Sequence, residues 1–210
     1  IDAVAVAIVL AYLYGVVQRS LSDGTARRAL LGTVLGLGGW VVMLTPVDFG
    51  QNNFVDLRVI FVVLVSGFAG WQAGLITLSM VVIGRFALFP LPNVWTPLFW
   101  MVVTLVASWG AAVAWRHWRT SRKLRPATAA FALALVITFI GLVTMSFAFD
   151  LRNGGMADVL VLNRLVAGTG VFLVALIMFR EDGLVAHDRR QREQVRRDPL
   201  TSLLNRRSYE

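Results

Sequence analysis

QNNFVDLRVIFVVLVSGFAGWQAGLITLSMVVIGRFALFP, residues 51–90, decides how the rest of the chain is read. It opens on polar residues, among them Asn52, Asn53 and Asp56, and sets Arg58 at the head of an apolar run with no further charge until Arg85. From Val59 to Leu88 that run is too long for one comfortable membrane span of about 20 residues and short for two. Glycines at Gly67, Gly70 and Gly74 interrupt it near the middle. The pattern predicts two short helices folded back on each other at Gly70-Trp71-Gln72-Ala73-Gly74. Arg58 and Arg85 then lie at similar distances from the turn and at one depth. In a single straight helix they would stand roughly 40 Å apart, at ~1.5 Å per residue.

The rest of the chain places this hairpin in a membrane. Hydrophobic residues make up 57% of the 210, and the mean hydropathy of +0.70 excludes an ordinary soluble domain. Six apolar blocks are read, Ala3–Val17, Ala29–Leu44, Val59–Leu88, Val94–Trp115, Ala127–Phe149 and Met156–Phe179, seven crossings if the third block folds back. The fold class is therefore all-α, a polytopic membrane helical bundle with a short-helix hairpin, followed by a cytoplasmic signalling helix. The chain opens at Ile1 without a methionine, which reads as trimming, and no cleavable signal peptide is visible. It holds no cysteine, and so no disulfide or thiolate metal site.

Charge sets the expected orientation. Arg19, Arg27 and Arg28 lie in the first connector, RHWRTSRKLR (Arg116–Arg125) follows the fourth block, and arginines crowd the segment after Phe179. A double-crossing hairpin puts all three on one side, which the positive-inside rule makes cytoplasmic, with the N-terminus outside and the C-terminus inside. That side then carries 16 Lys/Arg and 7 Asp/Glu against 4 and 5 outside, which accounts for the net +8 without nucleic acid as a partner. Trp95 and Trp100 mark one interface, Trp115 and Trp118 the other. The basic loop determines topology first and touches anionic membrane lipid second. Beyond Phe179, Gly183 is placed to loosen the junction with a charged linker in which Leu184, Asp188, Gln191 and Val195 form a weak heptad-like seam.

Arginine inside an apolar span is costly and points to function. Arg58 and Arg85 at one depth, with a helix N-terminus near Asn53 to Asp56, make a cationic pocket suited to a carboxylate or phosphate. Arg164, beside Asn163 in the last helix, completes the site on one reading. On the other, these arginines pair with Asp48, Asp56 or Asp158, or reach to the interface. Asn53 and Asp56 read first as helix caps, and Gly67, Gly70 and Gly74 as close packing and the turn. His117 and His187 fall outside the apolar blocks, so no metal or haem is expected in the membrane. The only lysine, Lys123, lies in a loop, which excludes a retinal Schiff base.

The last thirteen residues, DPLTSLLNRRSYE (198–210), resemble the opening of the diguanylate cyclase (GGDEF) domain. Asp198, Leu200, Thr201, Leu203, Asn205, Arg206 and Arg207 match its D-x-L-T-x-L-x-N-R-R pattern, with Ser202 where glycine is usual. The resemblance implies that two GTP are condensed to cyclic di-GMP with Mg²⁺ by a catalytic domain whose signature lies beyond residue 210, and that the protein works as a parallel homodimer. No cofactor is expected within the fragment itself. Asn53, Asp56 and Arg58, the spaced glycines and Arg85 resemble the LytS/YhcK-type five-transmembrane sensor family over residues 29–179. That resemblance implies a sensor coupled to a histidine kinase or a diguanylate cyclase, with a small organic anion such as pyruvate as the kind of ligand.

The chain thus divides into a first helix and loop (1–28), a sensor domain (29–179), a stalk (180–197) and the start of a catalytic domain (198–210). The reading is an inner-membrane sensor that binds a small anion from outside and controls cyclic di-GMP synthesis. A small-anion transporter, with short broken helices and buried arginines, and a sensor of lipid or membrane state stand beside it.

Overall fold

The computed structural model describes residues 2–22, 24–44, 47–48, 54–55, 58–88, 95–122, 124–148 and 155–196. The helices are α1 (Asp2–Ser20), α2 (Thr25–Leu44), α3 (Val59–Phe68), α4 (Trp71–Leu88), α5 (Trp95–Arg122), α6 (Pro126–Ala148) and α7 (Gly155–Arg196). Between α2 and α3 a two-residue antiparallel ladder pairs β1 (Val47–Asp48) with β2 (Phe54–Val55), Val47 opposite Val55. Otherwise the described residues make an all-helical membrane bundle. Four helices, α2, α5, α6 and α7, contain stretches long and apolar enough to cross a bilayer.

The centre of the bundle is α3. All ten of its residues are buried, and it packs on α2, α4, α5 and α7 at once. Valines dominate it, residues that lose side-chain freedom in a helix. A helix apolar on every face suits either a protein interior or the bilayer, and α3 occupies the interior. At ten residues it is about 15 Å long, half the hydrocarbon thickness of about 30 Å. Its head, with Arg58, therefore lies only about 15 Å along the bundle from the α3–α4 turn. Large apolar side chains point outwards elsewhere, among them Val9, Leu44, Phe99 and Phe139, as expected of a surface bathed in acyl chains.

Small residues let α2 and α4 approach along their length. A Cβ on Gly32 would come 2.7 Å from the Ala73 carbonyl oxygen, and one on Gly39 2.8 Å from Val81 Cγ2. Thr77 Oγ1 donates to the Gly32 carbonyl at 2.8 Å, and Trp40 Nε1 to that of Met80 at 2.6 Å. Dispersion and interhelical hydrogen bonds hold such seams, since lipid offers no hydrophobic drive between helices.

The contacts fix the order of ends. Tyr14 of α1 meets Asp182 of α7, Arg28 of α2 meets Gln72 of α4, and Arg116 of α5 meets Phe68 of α3. All the described basic connectors therefore gather at one end of the bundle, the end that holds the α3–α4 turn. This is the arrangement that a folded-back third block requires.

Three local features depart from the sequence reading. The turn is narrower: only Ala69 and Gly70 lie between α3 and α4, Gly70 has φ +108°, and Gly74 is already helical. The left-handed backbone at Gly70 explains the glycine there, because a Cβ would strain it. Gly74 and Gly67 instead admit neighbours, Ser66 and Trp109 at the first and the Trp115 ring at the second. Next, α5 runs to Arg122, so most of the basic stretch from Arg116 is helix rather than loop. Finally, α7 is one helix of 42 residues that passes through Gly183 unbroken, where the sequence suggested a loosened joint.

Candidate functional site

Arg58 opens α3 in helical geometry (φ −57°, ψ −32°), with no side-chain cap bond of its own. It is half-buried, and its Nη1 lies 3.7 Å from Met101 Sδ on α5. Arg85 lies in the last turn of α4, also half-buried. Counting from Gly70, Arg58 is twelve residues away and Arg85 fifteen, so their Cα levels differ by only about 4–5 Å along the hairpin.

Arg164 is 3% exposed, on α7. Space for it comes from Gly141 on α6, where a Cβ would fall 2.5 Å from Arg164 Cδ and 2.8 Å from its Nη1. One turn from Gly141, Thr144 Oγ1 meets Thr104 Oγ1 of α5 at 2.8 Å, and Met101 stands one turn from Thr104. Arg58 and Arg164 thus approach the same α5–α6 seam, one beside Met101 and the other beside Gly141, with the threonine pair between those positions. Next to Arg164, Asn163 is 7% exposed and its Oδ1 has no hydrogen-bond partner among the described residues. Buried guanidiniums and hydroxyls inside a membrane bundle are costly to place and suited to a polar occupant.

Asn53 and Asp56 lie outside the described residues, as do the side chains of Asp48 and Asp158. The structure therefore sets Arg58 and Arg164 on either side of the Thr104–Thr144 pair along one seam, keeps Arg85 near the level of Arg58 on the hairpin, and says nothing of the two polar residues ahead of α3.

A second polar assembly, at the basic end, went unread in the sequence. Tyr14, 1% exposed, donates its hydroxyl to Asp182 Oδ1 at 2.7 Å and accepts from Gln18 Nε2 at 2.5 Å. Arg19 forms an ion pair with Glu181, itself 7% exposed. The guanidinium of Arg119 sits 4.8–5.1 Å from the ring centres of Phe68, Trp115 and Phe179, which also contact one another. A desolvated cation over aromatic faces is worth about 2 kcal/mol or more. Arg116 donates to the Phe68 carbonyl, and more weakly to that of Gly67 at 3.5 Å, so it caps the carboxyl end of α3, where a cation also meets the negative end of the helix dipole.

Two residues read as topology determinants, with lipid contact second, therefore fold inward and tie α5, the hairpin turn and α7 together. Glu181 and Asp182, counted with a solvated linker, anchor α7 to α1. The signal was present: Tyr14, Gln18 and Arg19 follow one another at helical spacing where the first apolar block ends, and Glu181-Asp182 mark the end of the last. What was lacking was knowledge that α1 lies beside α7.

Against known proteins, residues 8–179 match the sequence model of the family 5TM-5TMR_LYT, described as 5TMR of 5TMR-LYT. The match takes in most of α1, further towards the amino terminus than the resemblance over 29–179 reached. No curated protein and no solved structure matches the chain.

Proposed function

Since the chain belongs to the 5TMR-LYT family, and so is a multi-pass transmembrane sensor domain, we propose that it reads a small organic anion from the outer side and passes the result to a diguanylate cyclase domain beginning at Asp198. The approach of Arg58 and Arg164 to one α5–α6 seam carries this reading. Two guanidiniums that approach one seam suit a carboxylate, which accepts paired N–H donors. Arg85 lies near the same level of the hairpin, and Asn53 and Asp56 precede Arg58 on the side from which the ligand enters. In this orientation the amino terminus is outside and the basic end cytoplasmic, in a bacterial inner membrane.

Transmission follows from α7. Arg164 and Asp182 belong to one unbroken helix, eighteen residues or about 27 Å apart. A ligand that binds one position of α7 better than another shifts the population of that position along the whole rod. Tyr14, Arg19 and Arg119 hold the rod at its exit, and the stalk then delivers the shift to a pair of catalytic domains in a parallel homodimer. GTP and Mg²⁺ belong to that catalytic domain. A transporter shares the buried half-length helix with an arginine at its head, but it has no use for a helix that continues from the site through the basic end.

The test is a thermal-shift screen of small carboxylates on the chain in lipid nanodiscs, repeated with Arg58→Lys and Arg164→Lys. Lysine keeps charge and loses the bidentate fork. A ligand that stabilises the wild type is expected to bind each variant about ten- to a hundredfold more weakly. Unchanged affinity in both variants overturns the site.

A further inference from the structure

At the opposite end of the hairpin from Arg58, the α3–α4 turn forms one wall of a cleft of about 390 Å³. Its polar lining comes from three helices: Arg28 from the first turn of α2, Gln72 from the first turn of α4, and Arg116, His117 and Thr120 from α5. No Asp or Glu is among the lining residues. Asp182, within electrostatic reach of Arg116, is not one of them.

The two guanidiniums are held by neutral acceptors. Arg28 Nη1 donates to Gln72 Oε1 at 2.8 Å, and Arg116 Nη1 to the Phe68 and Gly67 carbonyls. Each contact engages one of a guanidinium's three nitrogens and cancels none of its charge, which for Arg116 is offset only from a distance by Asp182. Gly70 and Trp71 border the cleft too, which brings the start of α4 to its edge. The amides of a helix's first turn have no acceptor within their own helix, and the dipole there favours an anion. Convergent guanidiniums, a ring N–H, a hydroxyl and backbone amides match the several oxygens of a phosphoryl group better than the two of a carboxylate. Trp71 and Trp118 are about half exposed at this end, as indoles at headgroup depth are.

We propose that this cleft binds a phosphoryl group, either that of an anionic lipid headgroup or that of a soluble phosphate compound, and that the occupant braces α2, α4 and α5 around the hairpin turn. The site is separate from Arg58 and its neighbours: twelve residues of chain, about 18 Å of helix, divide Arg58 from Gly70. It stands whether or not an anion binds there.

The whole chain is placed in nanodiscs of phosphatidylcholine, alone or mixed with phosphatidylglycerol, with inorganic phosphate titrated at constant ionic strength. Thermal midpoint and lipid retention by native mass spectrometry are read. A midpoint raised by phosphatidylglycerol alone, with lipid retained, supports the site and names lipid as its source. A rise with inorganic phosphate in pure phosphatidylcholine supports it and names a soluble phosphate. In either case Arg28→Gln/His117→Gln is expected to weaken the apparent affinity about tenfold or more. Arg122→Gln/Arg125→Gln, which removes charge at the same end from residues that do not line the cleft, is expected to keep the wild-type response. Arg116 is left intact because it caps α3. Absence of any rise overturns the proposal, and so does an equal loss in both double variants, which would mean diffuse charge rather than a site.

Discussion

Tyr14→Phe tests whether α1 holds the exit of α7. The substitution removes one oxygen from a side chain 1% exposed, and with it the 2.7 Å bond to Asp182 and the bond received from Gln18. Ring packing against Phe68, edge-on at 6.2 Å between centroids, is kept. A hydrogen bond to a carboxylate is worth about 1.5–3 kcal/mol, and Gln18 loses its partner in a buried place, so the variant is expected near the upper half of that range. On the scaling for globular domains of 150–250 residues, 1 kcal/mol corresponds to about 2–4 °C, so the midpoint in detergent or nanodiscs should fall by about 5–12 °C. The sharper readout is the cycle of Tyr14→Phe, Asp182→Asn and the double variant. Bonded neighbours couple, and a coupling of at least about 1 kcal/mol is expected. Additive effects, with coupling near zero, would refute the reasoning, since two groups that do not sense each other cannot tether the helices.

Other predictions follow from single residues. Gly70→Ala places a Cβ on a backbone with φ +108° and should cost about 1–2 kcal/mol, seen as a lower thermal midpoint. Gly183→Ala should do the reverse, raising helix stability by about 0.8–1 kcal/mol, because α7 is continuous there and a Cβ at that position meets nothing within 4 Å. A fall in stability would show that Gly183 is a joint after all. Cysteines at Gly50 and Asn93 should react with an impermeant thiol reagent applied to intact cells, and one at Ser121 should not. Protection at Gly50 with labelling at Asn93 would overturn the folded-back hairpin.

Membrane residence, the number of helices and the existence of the hairpin were written in the sequence, because they rest on local quantities. An apolar run has a length whatever surrounds it, a glycine in a left-handed turn is needed where the chain reverses, and arginines count towards one side wherever they pack. The same local rules singled out Arg58, Arg85 and Arg164, since a cation in an apolar stretch stands out without any fold. Which helices touch was not written there. That Arg164 and Arg58 approach one seam depends on α7 lying against α6 and α3 against α5, contacts between different helices that no local pattern specifies. Arg116 and Arg119 show the limit most clearly: in one dimension they are basic residues near the end of a span, and only the placement of Phe68, Trp115 and Phe179 around them turns one into a helix cap and the other into the cation of an aromatic cage. Composition also misled at α7, where a glycine in a charged stretch suggests a joint. Anchorage at Glu181 and Asp182, supplied by α1 from the far end of the chain, accompanies an unbroken helix instead.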